Sequence, residues 1–303
     1  EVRKNVGDLM AEDEGVLNIF SYDEGLVDVG ELNGVFHVQK PTKLLLTLNI
    51  EGTEARNSYE LWVYPKKALE KKGVIIAKDL NDEVVKVLEN GGKVLWMPTA
   101  SSHFVAADDK ALQSDNSFLQ SDDTLSQADN ATPYTVGGLF QTDYWNYRMF
   151  KTICESNKKA VSPGTLGILT NPEHPIFNYF PTEMHTNWQW FPVIKESHPL
   201  VLDNFAKDYR PVVQVIDNIE RNHKLGLVME WKVGAGKLLV CMSDLEKAAK
   251  YPEGKAFYQS VIDYMRSADF NPSAEITVDE LKKKLAEKPR QVSLKELNNI
   301  SQY

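Results

Sequence analysis

The sequence predicts an α/β protein, a doubly wound sheet preceded by part of a β-sandwich. Three observations predict it. Short runs rich in β-branched and aromatic residues, separated by turn formers, fill the chain as far as Pro65. From Gly73 onward, short apolar runs alternate with helix-like segments. One of those runs, Lys93–Met97, is apolar at every position after its first, as a parallel strand covered on both faces is.

The first region supplies four strands, Gly15–Phe20, Gly25–Val29, Leu44–Ile50 and Tyr59–Tyr64. Leu44, Leu46 and Leu48 alternate with Leu45, Thr47 and Asn49, the pattern of a half-buried strand. Four strands bury two faces poorly, so they read as the last part of a larger sandwich. In the second region Gly73–Ala77 is a strand and Asn81–Asn90 a helix with Val84, Val85 and Leu88 inward, stopped by Gly91. Lys93–Met97 is the next strand, and Tyr147–Glu155 a helix with Met149, Phe150, Ile153 and Cys154 on its inner face. Thr165–Leu169 is a strand, after which Asn171 caps a short helix with Pro172 in its first position. Val212–Ile216 is a strand, and Leu225–Lys232 with Lys237–Met242 a hairpin. Lys255–Arg266 is a helix with Phe257, Val261 and Met265 on one stripe. The alternation leads to a flavodoxin-like sheet. In the tail, Thr277–Glu280 and Ser293–Glu296 are capping boxes. The organisation expected is a sandwich part over 1–66, an α/β domain over 67–270 with an inserted acidic loop at 99–137, and a helical tail over 271–303.

Composition narrows the function. With 303 residues, 42% hydrophobic and 25% charged, the chain matches soluble globular proteins. No apolar run is long enough to span a bilayer, so no membrane partner is expected. A formal net charge of −9 argues against nucleic acid, whose phosphates need a basic surface. No basic, apolar leader pattern follows Glu1, so a leader has been removed or the chain is internal to a longer protein. Cys154 and Cys241 lack metal-ligand spacing and read as buried, unpaired core residues.

The inserted loop carries a period of seven in Gln113–Leu119, Gln120–Ser126 and Gln127–Pro133. Each unit has an Asp, but the Gly turn and distal Glu of a calcium loop are missing, so a solvated excursion or lid is expected. Ser101, Ser102 and His103 follow a strand without the sharp Gly-x-Ser-x-Gly turn of a nucleophile. Glu183 and His185 share one face of an extended segment, with His174 and His198 near in sequence, yet no paired metal motif forms. Asp203, Asp217, Glu220 and Glu230 are the carboxylates available in principle for glycoside chemistry, but Asp217-Asn218 just past a strand end reads as a turn or cap, and that reading is preferred. No catalytic residue, metal or cofactor is therefore assigned. Carbohydrate binding is the remaining option. Trp188 and Trp190, two apart on an extended segment, would present rings to one face. His185, Asp217, Asn218, Arg221 and Asn222 would ring them and bond sugar hydroxyls. Packing of both tryptophans in a core is the open alternative.

Five segments carry a resemblance: NSYELWVYP at 57–65, TLGILTNPEHP at 165–175, FPTEMHTNWQW at 180–190, VIDNIERNH at 215–223 and GKLLVCMSDL at 236–245. They resemble the C-terminal region of bacterial family-two glycoside hydrolases, the β-galactosidase- or β-glucuronidase-like enzymes with a sugar-binding domain. The resemblance runs from about Gly25 to Pro272. It implies an Ig-like sandwich remnant and a glutamine-amidotransferase-like α/β domain without the nucleophilic Cys. In that family a catalytic (β/α)8 barrel with two glutamates precedes this region, and neither glutamate motif is present here. The resemblance thus implies a non-catalytic accessory segment of a secreted or periplasmic glycosidase. Its partners would be the barrel and sandwich domains of the same protein, carbohydrate, or a second copy of the chain. The alternatives are a self-standing α/β hydrolase using Ser101 or Ser102 with His103, and a purely structural interaction module.

Overall fold

The computed structural model describes residues 36–50, 52–66, 68–98, 134–140, 164–218 and 221–289, strands at 2–4, 8–11 and 105–106, and residues 149, 152–153 and 156–157. The chain divides into two units, Glu1–Ala68 and Leu69–Tyr303. In the first, β1 (Val2–Lys4), β2 (Asp8–Ala11), β3 (Thr42–Asn49) and β4 (Arg56–Val63) form one antiparallel sheet in the order β2-β1-β3-β4. Among the described residues this unit has one layer, not two facing ones. Burial fades along β3, from a fully buried Leu44 to an exposed Leu48. Two of the expected strands, Gly15–Phe20 and Gly25–Val29, lie outside the described residues.

The second unit corrects the fold expectation. Its strands are β5 (Ile75–Ala77), β6 (Lys93–Trp96), β7 (Val105–Ala106), β8 (Tyr134–Thr135), β9 (Gly167–Thr170), β10 (Leu200–Val201), β11 (Val213–Ile216), β12 (Lys224–Val233), β13 (Gly236–Cys241) and β14 (Glu275–Ile276). They make one mixed ten-stranded sheet, with β5-β6-β13-β12-β10-β8-β7 as its main path. β5, β6 and β13 run parallel, while β12 is antiparallel to β13, β10 and β11, and β9 is antiparallel to β11. This is β-rich and mixed, not a doubly wound flavodoxin- or amidotransferase-like sheet. The physical reason lies in the connections. A doubly wound sheet needs a crossover helix between successive parallel strands. Among the described residues, α1 (Asp82–Glu89) between β5 and β6 does that. β11 is followed along the chain by its antiparallel neighbour β12, and Gly234 and Ala235 turn β12 directly into β13.

The helices obey local rules. Asn81 caps α1 by accepting from the Val84 amide, and Gly91, at φ 84°, ends it. α2 (Phe191–Lys195) and α3 (Leu245–Ala248) are short. α4 (Pro252–Arg266) starts on its proline and buries Phe257, Val261 and Met265. α5 (Val278–Ala286) is capped by Thr277, which accepts from the Glu280 amide, and buries Leu281 and Leu285. The helix expected at Asn171–Pro172 is instead a 3-10 turn at Pro175–Phe177, capped by His174. The helix expected at Tyr147–Glu155 falls mostly outside the described residues; Met149 and Ile153, placed inward by the sequence pattern, are exposed.

The core of this unit lies between the sheet and α4. Trp190 is fully buried against Phe180 and Phe257, with ring centroids 5.0 Å away in both cases, and its indole N–H donates to Thr182 Oγ1 at 2.8 Å. A buried indole needs such an acceptor. Cys241 in β13 is buried, and desolvation pushes its thiol up to about 12. Cys154 lies outside the described residues.

Candidate functional site

The structure disperses the residues chosen for carbohydrate. The segment at 183–187 is not a free strand. It lies along β9, with the Thr170 amide donating to Met184 O, Thr170 Oγ1 to Glu183 O, and the Ile168 amide to Thr186 Oγ1. His185 is exposed there and its Nδ1 donates to the Thr186 carbonyl at 3.0 Å. The chain then coils into a 3-10 turn at Trp188–Trp190. That curvature overturns the expectation of one shared face: Trp188 is 79% exposed and Trp190 0%. Trp190 is a core residue.

Asp217, Asn218 and Arg221 do meet, but on each other. Asp217 Oδ1 accepts from the Asn218 amide at 2.8 Å and from Arg221 Nε and Nη2 at 3.0 and 2.8 Å; Oδ2 accepts from the His223 amide at 2.9 Å. Asn218 Oδ1 accepts from the Arg221 amide, and its carbonyl from the Asn222 amide. Asn222 itself is exposed at φ 52°. His223 Nδ1 donates to Asp203 Oδ2 at 2.8 Å, while Asp203 Oδ1 accepts from the Lys224 amide. A buried carboxylate surrounded by four donors has its acceptor capacity in use. This cluster therefore fixes the turn from β11 into β12. Ser101, Ser102, His103 and the repeat at 113–133 lie outside the described residues.

A cleft forms elsewhere, and β12 explains it. Along one edge of this strand β11 pairs with Lys224–Val228 and β14 with Lys232 and Val233. Between them, along that edge, Glu230 meets no strand among the described residues, whereas on the other edge it pairs with Leu239 of β13. The Tyr209 phenol takes that place: its oxygen accepts from the Glu230 amide at 3.1 Å and donates to the Glu230 carbonyl at 3.2 Å. A buried strand needs both groups satisfied. The ring of Tyr209 stacks on Trp231 at 4.9 Å and 15°. Burial pushes its ionisation far above the ordinary tyrosine range, so it stays a neutral donor.

The interrupted edge opens into a cleft of about 810 Å³ lined by Leu169, Asn171, His174, Arg210, Gln214 and Glu230, among others. Glu230 Oε2 accepts from the Tyr264 hydroxyl at 2.8 Å. Desolvation first, then the Glu230 charge, holds the Tyr264 phenol well above its usual range. His174 Nδ1 accepts from the Ile176 amide at 3.3 Å, so the neutral ring carries its proton on Nε2. That Nε2 lies 3.9 Å from Glu230 Oε1, too long for a direct hydrogen bond. The imidazole packs edge-on to Tyr264, with centroids 5.2 Å apart. Arg210 Nη1 donates to the Lys207 and Tyr209 carbonyls. The cleft thus offers a fixed acceptor, a fixed donor, a guanidinium, two amides and an apolar Leu169 flank. Among the described residues no group of three His, Cys, Asp or Glu side chains is placed to hold a metal.

In the sequence His174 stands with the metal-ligand candidates and Glu230 with the paired carboxylates, and no motif joins the two. One signal was present. Glu230 is the one acidic residue in the run LGLVMEWKV, which is otherwise almost wholly apolar to Trp231. Nothing local marked Tyr209 or Tyr264, because their roles depend on which strands flank β12.

A mixed, β-rich sheet with a cleft of mixed polar and apolar lining at an interrupted edge defines the class of domain. Residues 106–286 match the family Domain of unknown function (DUF8487), which covers more than half of the chain, and the chain belongs to that family. Residues 5–65 match Domain of unknown function (DUF8488). Neither match ties the chain to family-two glycoside hydrolases. None of the curated proteins matches it.

Proposed function

We propose that this chain is a non-catalytic accessory segment of a carbohydrate-degrading protein, and that it holds carbohydrate in the cleft beside β12. The observation that carries the reading is the cleft itself, about 810 Å³ and lined both by polar side chains and by the apolar surface of Leu169, Pro211 and Val212. Its size falls in the range of small-ligand sites, and the mixture of amides, charges and apolar surface suits sugars. The resemblance of the segments at 165–175 and 180–190 to glycosidase C-terminal regions supports the same reading. The proposed site lies at the gap between β11 and β14, not at Trp188 and Trp190. Calorimetric titration with lactose, cellobiose and a methyl glucuronide tests it. Saturable binding of at least one, weakened several-fold in Gln214→Ala and Arg210→Ala, is expected. No heat from any of them at millimolar concentration would sink the reading.

A further inference from the structure

We propose that His174 and Glu230 together read a single hydroxyl group, as acceptor and as donor, so that the cleft selects neutral polyhydroxylated ligands. The inference deepens the carbohydrate reading and rests on the same cleft. Its premises are geometric. The Ile176 amide occupies His174 Nδ1, which leaves Nε2–H as the donor facing Glu230. The Tyr264 hydroxyl occupies Glu230 Oε2, which leaves Oε1 as the acceptor facing His174. These two atoms are 3.9 Å apart. An oxygen placed about 2.8 Å from each closes an angle of about 90°, which one hydroxyl meets by accepting from Nε2 and donating to Oε1. Other chemistries fail at this spot. An ammonium would bond Oε1 but turn its own donors onto Nε2–H. A carboxylate or phosphate would accept from Nε2 but sit against the Glu230 carboxylate. A group that is donor and acceptor at one atom satisfies both.

Both partners are held in place before any ligand arrives. Tyr264 comes from α4 and ties Glu230 on one side while packing edge-on to His174 on the other. The Tyr209 phenol fixes the Glu230 backbone. Such anchoring removes the ordering cost that a mobile pair would add to binding.

Ligand-observed NMR on the full chain provides the test, with lactose, cellobiose and myo-inositol as neutral probes, putrescine as a cation and citrate as an anion. At least one neutral probe should bind, roughly tenfold more weakly to Glu230→Gln, which replaces a charged acceptor, and several-fold more weakly to His174→Phe, which removes a neutral donor. Binding of a sugar that both variants leave unchanged overturns the inference but not the carbohydrate reading. Pair-dependent binding of myo-inositol without any sugar keeps the inference and removes the carbohydrate reading. Binding of putrescine or citrate alone, or of nothing, overturns the inference, the pair then holding only water. Should the variants not fold, the nitrogen shifts of the His174 ring in the unaltered protein decide: an Nδ1–H tautomer overturns it.

Discussion

Tyr209 is the residue on which the cleft turns. Its hydroxyl stands where a strand would otherwise satisfy the Glu230 amide and carbonyl. Tyr209→Phe keeps the ring stacked on Trp231 but strands both backbone groups. Leaving a buried donor or acceptor unpaired costs about 1–3 kcal/mol. The variant is therefore expected to unfold at lower urea with an unchanged m-value, and to show faster amide exchange at Glu230. Wild-type exchange at that amide would remove the role assigned to the phenol. Phe cannot be told from Tyr by hydrophobic pattern, so this role was not legible in the sequence. The polar break at Glu230 was legible, but not its partners, which come from α4 and from the connection between β10 and β11.

At the level of elements, what is local was readable and what is non-local was not. Asn81, Gly91 and Thr277 act where their side chains or missing side chain dictate, within four residues of the helix ends they set. The β12–β13 hairpin was readable for the same reason. Strand order was not: apolar runs such as Lys93–Trp96 and Gly236–Cys241 look alike whether their neighbours run parallel or antiparallel. Trp188 and Trp190 failed for a related reason, since a two-residue spacing means one face in a strand but not in a 3-10 turn. The tight approach of α1 to the start of β13 is also invisible in sequence. A Cβ on Gly236 would lie 2.4 Å from Leu88 O and 2.7 Å from Gly92 O. Both are backbone atoms, so they yield only if α1 and the turn that follows it shift. Gly236→Ala should destabilise the fold by about 1–3 kcal/mol, the usual cost of overpacking. Equilibrium urea unfolding checks this, and an unchanged midpoint would show that α1 moves freely.

On the scale of the whole larger unit, buried phenols link the sheet, α4 and the loops. Tyr209 and Tyr264 meet on Glu230, while Tyr258 of α4 donates to Glu246, which also receives Lys71. Burial raises the ionisation of Tyr209, Tyr258 and Tyr264 far above the usual value, and that of Tyr179 in the same direction. The consequence for stability follows from linkage. Below the unfolded tyrosine value, near pH 10, both states hold these protons and the contribution is fully present. As pH rises above it, the unfolded chain releases the protons that the folded one keeps, and stability falls. Cys241, raised to about 12, acts in the same sense above its own ordinary value. Lys93 and Lys224 are lowered by burial and oppose this between their folded values and the ordinary lysine range, but both are partly exposed and screened. The tyrosines therefore decide the sign. Of the 12 tyrosines, Tyr209, Tyr258 and Tyr264 should stay protonated beyond pH 11 and ionise only on unfolding. Absorbance at about 295 nm, followed with near-ultraviolet circular dichroism, should show a late tyrosinate step that coincides with loss of tertiary signal. Reversible ionisation of every tyrosine near pH 10, with the tertiary signal intact, would mean that these phenols reach solvent and that the edge of β12 is not sealed by Tyr209.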